Sequence, residues 1–261
     1  MREKIQQQLH AKGAASKFHI PRAPEVALEV LHLSCRPTIS TSQIARPLQR
    51  DPYLAGLILK MANSAAFAPA GRTIVDIREA VTRVGTANVR NILMAAAMEQ
   101  SVFRGNNQEL LRELWLQSLG RAVAADLITQ HLSPSEPQAF AMGLLSNIGE
   151  TLLVACVEKI VEEDDEVTTF EEAWKAVDDA AIAEASEQLF VAWKLPEALL
   201  DVLRSAPGSP QQTLLQMADQ LACRSKNVDA LMTLGRPVGL RVEAAEKIVR
   251  RFPKALREMV L

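Results

Sequence analysis

The segment MGLLSNIGETLL, residues 142–153, places polar side chains inside an otherwise apolar run. Ser146 and Asn147 are adjacent, and Glu150 follows closely. Because leucine and isoleucine surround them, we interpret the segment as the middle of a buried helix. Two small polar residues and an acid in that setting either perform chemistry or occupy positions where chemistry was once performed.

The cysteines do not suggest a second kind of active site. Cys35, Cys156 and Cys223 are far apart and have no CxxC spacing. This pattern is typical of a reducing compartment in which the thiols are buried and unreactive. Cys156 follows an apolar run without a histidine or basic neighbour that could lower its pKa, so we do not expect it to be a nucleophile.

Composition excludes several functional classes. The chain has 261 residues, 48% of them apolar and 23% charged, and its formal charge of −2 gives no overall attraction to nucleic acid or to an anionic membrane. No apolar run approaches the roughly 18 residues that span a bilayer. The beginning, MREKIQQQLHAKG, lacks the apolar region of a secretory signal. We therefore expect a cytoplasmic protein that binds neither nucleic acid nor membrane.

Helix signals recur along the chain, whereas strand signals are nearly absent. Ser40 to Gln43 has the form of a capping box, and Asp51-Pro52 combines an N-cap aspartate with a proline at the first helical position. Pro47 is expected to kink or shorten the helix between them. Gly85 is expected near the C-cap of a short helix.

The longer segments complete an all-α prediction. Residues 104–108, RGNNQ, form the main internal break, and a long amphipathic helix containing Leu111, Leu114 and Leu119 follows. Further helices are predicted at about Glu136–Glu158, at Gln211–Arg224 and at Val242–Leu261. The segment from FEEAWKAV to LFVAWKLP is predicted to form a single helix. Pro253 is expected to break the final helix. Trp115, Trp174 and Trp193 fall on apolar stripes and are expected in the core. About a dozen helices in two lobes of one domain follow.

Several segments resemble one family in order. They are IPRAPEVALEVLHL, ISTSQIARPLQRDPYLAGLILKMANSAAF, IVDIREAVTRVG, LWLQSLGRAVAADLI, MGLLSNIGETLL, WKLPEALLDVL and LLQMADQLA. Together they resemble the HDOD domain, a bacterial signalling module related to the HD-superfamily metal-dependent phosphohydrolases, and the resemblance implies an HD-like helical bundle. On this basis residues 18–225 form the domain, with lobes at about 18–104 and 105–225, and residues 1–17 and 226–261 form helical extensions.

The resemblance also implies where a metal would have been held. In HD phosphohydrolases a histidine, a His-Asp pair and a later aspartate hold a divalent cation that activates water. The corresponding positions here are Gln117, then Ser146 and Asn147, while further histidines fall near Ile182 and near Ala206-Pro207. Only the final acid is retained, as Asp219.

These substitutions predict that the metal site is degenerate. Asparagine keeps the shape of aspartate but not its charge, and no imidazole remains. Glu150 stands where active relatives often have a lysine, and its carboxylate would repel a phosphate. The four histidines, His10, His19, His32 and His131, lie outside these motifs. We expect no metal, no cofactor and no hydrolysis by this mechanism.

Two polar groups remain open to more than one interpretation. Gln117, Ser146, Asn147 and Asp219 could form a buried hydrogen-bond network, or could line a retained small-ligand or weak metal site. Asn63-Ser64 could cap a helix and fix the turn to Phe67, or could belong to a binding surface.

Two further features have a packing interpretation. Gly143 is expected at a close contact between helices. The C-terminal segment VRRFPKALREMVL could pack on its own domain with its charges in water, or could dock a partner.

The resemblance favours a non-catalytic signal-transduction module that acts through protein–protein interaction and stands alone, without a receiver or cyclase domain. Its candidate pocket or interaction residues are Asn63, Ser64, Gln117, Ser146, Asn147, Glu150 and Asp219. One alternative is a divergent metal-dependent phosphohydrolase. Another is a sensor that binds a nucleotide or another small ligand without catalysis.

Overall fold

The computed structural model describes residues 5, 25–34, 40–64, 66–68, 72–101, 105–133, 136, 138–163, 169–195, 197–204, 208–224 and 227–259. Within these ranges the chain is helical and contains no strand, which confirms the all-α prediction. The α-helices in chain order are α1 (Glu25–Ser34), α2 (Thr41–Leu48), α3 (Pro52–Ala62), α4 (Ile77–Val84), α5 (Thr86–Ser101), α6 (Gln108–Thr129), α7 (Ala139–Leu145), α8 (Ile148–Glu163), α9 (Phe170–Trp174), α10 (Asp179–Ala192), α11 (Glu197–Arg204), α12 (Pro210–Asp219), α13 (Val228–Gly235) and α14 (Val242–Met259). A π-helical turn, Gln220–Arg224, follows α12, and a 3-10 turn, Arg236–Val238, follows α13.

The chain divides into two compact units. One unit is Ala23–Ser101 and holds α1 to α5, while the other holds the helices between Val102 and Leu261. In the first unit α1 packs against α5, and α3 packs against α4. In the second unit α6 is the central helix, in contact with α7, α12 and α14, while α8 packs against α10.

Local signals in the first unit act as the sequence predicts. The Ser40 amide donates to Gln43 Oε1 at 2.8 Å and the Gln43 amide donates to Ser40 Oγ at 3.3 Å, which together make the capping box. Helix α2 ends at Leu48, one residue after Pro47. Asp51 Oδ1 accepts from the amides of Tyr53 and Leu54 at the start of α3. Gly85 is the C-cap of α4 with a φ of 88°, a backbone conformation that favours glycine.

The prediction that residues 142–153 form the middle of one helix is wrong. Helix α7 ends at Leu145 and α8 begins at Ile148, so Ser146 and Asn147 form the junction between two helices. The Ser146 hydroxyl donates to the Gly143 carbonyl at 2.7 Å. A hydroxyl bonded to a nearby carbonyl competes with the backbone ladder, and this contact lies at the junction of the two helices.

Two other helix predictions need correction. Residues 170–192 form two helices, because Asp178 accepts from the Ala181 amide and starts α10 as a separate N-cap. Helix α14 runs through Pro253 without a break. Proline removes the bond to the Val249 carbonyl, and the buried residues of this helix, Ala245, Ile248 and Phe252, all lie before Pro253 and hold that part of the helix on the bundle.

The burial of some predicted core residues also differs from expectation. Trp193 is buried, whereas Trp115 and Trp174 are half-buried, and Trp174 stacks on Phe170 with ring centroids 5.6 Å apart. Cys156 is buried as expected, but Cys223, in the π-helical turn after α12, is exposed, contrary to the expectation of buried thiols.

Contrary to the sequence expectation that no apolar run is long enough, one stretch of the described chain, Ala139–Glu163, has the length and composition to span a membrane. Its most apolar 18-residue window is 83% buried inside the fold, where it supplies core residues of α7 and α8. A core segment of a helical bundle has the same composition, so the stretch is weak evidence for membrane insertion.

Candidate functional site

Three polar residues that the sequence singled out converge on one arginine. The Arg121 Nη1 donates to Asn147 Oδ1 and, at 3.4 Å, to Ser146 Oγ. Its Nε and Nη2 contact Asp219 Oδ1 at 2.9 Å and 2.7 Å. We call Arg121, Ser146, Asn147 and Asp219 the arginine cluster. It brings together the middle of α6, the junction of α7 and α8, and the end of α12.

Both carboxylate oxygens of Asp219 are engaged by guanidinium groups. Oδ2 accepts from Arg224 Nε at 2.7 Å. Arg224 is the last residue of the π-helical turn, which places it next to Asp219. Burial by itself would raise the pKa of Asp219, but hydrogen bonds from Arg121 and Arg224 outweigh burial and hold the pKa below its ordinary value. Asp219 is therefore ionised near neutral pH.

Close helix packing sets the position of Arg121. A Cβ on Gly143 would lie 2.6 Å from the Arg121 carbonyl and from the Ala122 amide, so a larger residue there would separate α7 from α6. Gly120 lies similarly close to the turn, since a Cβ there would be 3.1 Å from Ala222 Cβ. Gly143 is a close helix contact, as the sequence predicted.

Asn147 is a buried member of a satisfied network. It is 3% exposed, and its Nδ2 donates to the Leu114 carbonyl at 3.4 Å while its Oδ1 accepts from Arg121. The Asn147 carbonyl accepts from the Thr151 hydroxyl at 2.9 Å. Of the four residues for which the sequence offered a buried hydrogen-bond network, Ser146, Asn147 and Asp219 share one through Arg121, and Gln117 does not join it.

The arginine cluster lines an open cavity of about 620 Å³. Glu150, Gln216, Gln220 and Arg224 line the same cavity. Burial, more than the nearby Asp179 carboxylate, raises the pKa of Glu150, while Arg121 opposes that rise. Partial loss of solvent around the sulfur raises the pKa of Cys223, which adjoins Arg121 and Asp219, although the residue as a whole is exposed.

Comparison with known proteins places this architecture in a family. The family model described as the HDOD domain matches residues 20–207, which is most of the chain. This protein belongs to the HDOD family. The match ends before Asp219, the π-helical turn and α14.

Solved structures share the fold. An HDOD domain protein of unknown function from Geobacter sulfurreducens is 20% identical, with a TM-score of 0.68 and coverage of 98% of this chain and 97% of that one. A Shewanella amazonensis protein assigned by name only to the metal-dependent phosphohydrolases is 22% identical, with a TM-score of 0.70 and coverage of 98% and 99%. An uncharacterised Treponema pallidum protein is 26% identical over 203 residues, 74% of this chain. The chain spans about two fifths of that relative, since the match covers 39% of its length.

Two of the ligand positions inferred from the HDOD resemblance do not line the cavity. Gln117 Nε2 instead donates to Glu113 Oε1 at 3.1 Å along the surface of α6. Ile182 lies on α10, and its carbonyl accepts from the Ser186 hydroxyl at 2.9 Å. Ala206-Pro207 lies outside the described residues. The structure thus brings together Ser146, Asn147, Glu150 and Asp219.

The HDOD polar pair Asn63-Ser64 lies in the first unit, where Asn63 joins α3 to the segment before α4. Asn63 Nδ2 donates to the carbonyls of Leu59 and Ile74, and its Oδ1 accepts from the Ile74 amide, all at 2.8 Å. Asn63 is also the C-cap of α3, and the Phe67 amide donates to the Ser64 carbonyl at 3.0 Å. These bonds are those of the capping role.

The donors in this HDOD cavity do not fit a divalent metal. Within the described part of the chain, no group of three histidine, cysteine, aspartate or glutamate side chains could hold an ion. The one carboxylate of the arginine cluster already binds two guanidinium groups. A hard cation entering there would have to displace Arg121 and would meet its positive charge.

Sequence reasoning missed Arg121, which is the centre of the cluster. It is the only charged residue between Glu113 and Asp126 in an apolar helix. Because a lone cation on a buried helix face needs an anionic partner, the isolation of Arg121 in the sequence indicates that it binds an acid. Arg224 carried no such signal, because an exposed arginine in a polar segment is ordinary.

Proposed function

We propose that this chain is a non-catalytic regulatory module of the HDOD family that acts by binding a protein partner. The observation that supports this proposal is the position of Arg121, whose guanidinium binds the two junction residues and the acid that correspond to metal-ligand positions. A covalently attached cation cannot lower the pKa of a bound water or polarise a phosphoryl group as a metal does. The cluster therefore serves to join α6, α7, α8 and α12.

The test measures metal binding and phosphoester hydrolysis with the full chain. We expect no stoichiometric Mn²⁺ or Mg²⁺ by calorimetry, and no hydrolysis of bis(p-nitrophenyl) phosphate above that of the Asp219→Asn variant. This variant is the matched control because it removes the retained acid without changing its size. Stoichiometric metal binding or turnover that Asp219→Asn abolishes would overturn the proposal in favour of a divergent phosphohydrolase.

A second candidate function, a small-ligand sensor, is favoured by the cavity. The Glu150 carboxyl and the largely exposed Arg224 guanidinium offer a ligand both an acceptor and donors. A thermal-shift screen with cyclic and linear nucleotides tests this function. A ligand at 100 times its Kd should add about 2.7 kcal/mol to the free energy of unfolding. Loss of that added stability in the Arg224→Gln variant, which alters a residue lining the cavity, would place the binding there.

A further inference from the structure

Helix α14 carries a continuous basic face. Its five cations are all exposed, and the sequence between the first and the last contains no acid: Lys247, Arg250, Arg251, Lys254 and Arg257. At 3.6 residues per turn, they fall within an arc of about 120° and extend over about 15 Å. The opposite side of α14 is buried through Ala245, Ile248 and Phe252. We call these five residues the basic face.

Within the described part of the chain, most of this charge has no ion-pair partner. Among the described residues, only Lys254 of the basic face forms an ion pair, with Glu258 at 3.9 Å. Burial lowers the pKa of His131, which lies just past the end of α6, and the positive charges of Lys247 and Arg251 lower it further. The field of the basic face therefore reaches a neighbouring element. Five neighbouring cations repel one another, and an anionic partner would relieve that repulsion.

The surroundings of the basic face favour an acidic protein segment over a lipid surface. A helix that inserts into a membrane interface needs a free apolar side. Here that side is occupied, because Ile248 and Phe252 are buried within the second unit. The basic face can offer a membrane only surface charge.

The surroundings also favour protein over nucleic acid. Glu243 and Glu246 precede the basic face and Glu258 follows it, so a longer polyphosphate would meet carboxylates at both ends. Phe252, the only aromatic residue of α14, is buried and cannot stack on a base. A short acidic segment matches the length of the face without reaching those glutamates.

We propose that the basic face of α14 binds a short acidic segment of a partner protein through arginine–carboxylate pairs. The inference rests on the proposed function, since it names the surface through which the module would hold its partner. Arginine suits this role because its planar fork binds a carboxylate through two parallel hydrogen bonds. Helix α14 lies beyond residues 20–207, the region that the family model matches.

The test uses the full chain and a fluorescein-labelled oligoglutamate peptide, with binding followed by fluorescence anisotropy. We expect saturable binding that weakens as salt rises, and no binding of oligoglutamine of the same length. Arg250→Gln combined with Arg257→Gln should weaken the affinity at least about tenfold. The matched control combines Arg112→Gln with Lys175→Gln, which removes two exposed charges elsewhere and should leave the affinity within about twofold.

Three kinds of result would overturn this inference. Equal weakening by both double variants would mean that only net charge matters. Absence of peptide binding would reject the surface, and tighter binding to a DNA duplex or to phosphatidylglycerol vesicles than to the peptide would assign it to another class of partner. Thermal unfolding checks that the variants fold. Metal binding or turnover that depends on Asp219 would reject the proposed function while leaving the peptide result intact, so the two failures are distinguishable.

Discussion

Arg121 and Asp219 lie 98 positions apart in sequence and meet at one carboxylate oxygen, Asp219 Oδ1. The distances from Arg121 Nε and Nη2 are 2.9 Å and 2.7 Å, and both side chains are about one-fifth exposed. The same guanidinium binds Asn147 Oδ1. One side chain therefore joins the middle of α6 to the junction of α7 and α8 and to the end of α12. The cation that binds Asp219 is an arginine of the chain.

The Arg121–Asp219 pair should show a large coupling free energy. In a double-mutant cycle with Arg121→Met and Asp219→Asn, we expect about 2 kcal/mol of coupling in the free energy of unfolding, measured by urea denaturation. Arg224→Gln is the control, because Arg224 is 73% exposed and its pair with Asp219 should contribute below about 1 kcal/mol. Coupling near zero between Arg121 and Asp219 would show that the cluster does not hold the helices together.

Glu150 should make stability depend on pH in the opposite direction from a salt-bridged acid. Its pKa in the folded protein is raised above its ordinary value of 4.5, chiefly by burial. Ionised Glu150 therefore destabilises the fold, and this effect disappears as pH falls through the raised pKa toward 4.5. Glu150→Gln should be more stable than the parent at pH 8, by a margin that vanishes near pH 4.

The control for the Glu150 measurement is Glu99→Gln, which removes an exposed carboxylate from α5. Urea denaturation of the three proteins across pH 4 to 8 gives the comparison. A margin for Glu150→Gln that stays constant with pH, or matches that of Glu99→Gln, would contradict the assignment of a buried, raised-pKa carboxyl in the cavity.

Gly143 should be intolerant of a methyl group. A Cβ there would lie 2.6 Å from the backbone of Arg121, so Gly143→Ala should lower the free energy of unfolding by about 2–3 kcal/mol. Gly56→Ala is the matched control on an exposed side of α3, where nothing lies within 4 Å, and helix propensity alone should add about 0.5–1 kcal/mol. Similar effects of the two substitutions would show that α6 and α7 are less tightly packed than this geometry requires.

Asn63 should matter for stability and Ser64 should not. Asn63→Ala removes three hydrogen bonds of 2.8 Å and leaves the amide and carbonyl of Ile74 without them, which should cost about 2–3 kcal/mol. Among the described residues the Ser64 hydroxyl has only a 4.0 Å contact, with Met61 Sδ, so Ser64→Ala should change stability by less than about 0.5 kcal/mol. If Asn63→Ala has the same midpoint of urea unfolding as the unmodified protein, the capping role fails and a binding role gains support.

Local chemistry could be predicted from the sequence because its signals lie within a few residues. Ser40 and Gln43 cap each other, and Asp51 starts α3 with Pro52 behind it. The helical class followed from the same short-range patterns.

Tertiary context accounts for what the sequence did not reveal. The residues near Arg121 in the sequence do not indicate that Asp219 is its partner, because the two residues lie 98 positions apart. The Ser146 hydroxyl bonds the Gly143 carbonyl at a junction of two helices, whereas α14 continues through Pro253, with its buried residues all before the proline. Residue type alone fixes neither outcome.

Ser118 offers a way to stabilise the protein without touching the arginine cluster. Its side chain on α6 is fully buried, and its hydroxyl has no hydrogen-bond partner among the described residues. Since an unsatisfied buried hydroxyl is destabilising, Ser118→Ala should raise the free energy of unfolding by about 1 kcal/mol, measured by urea denaturation. Ser186→Ala is the control, because that buried hydroxyl donates to the Ile182 carbonyl at 2.9 Å and both substitutions gain the same helix propensity. A smaller gain for Ser118→Ala than for Ser186→Ala would mean that the Ser118 hydroxyl has a partner after all.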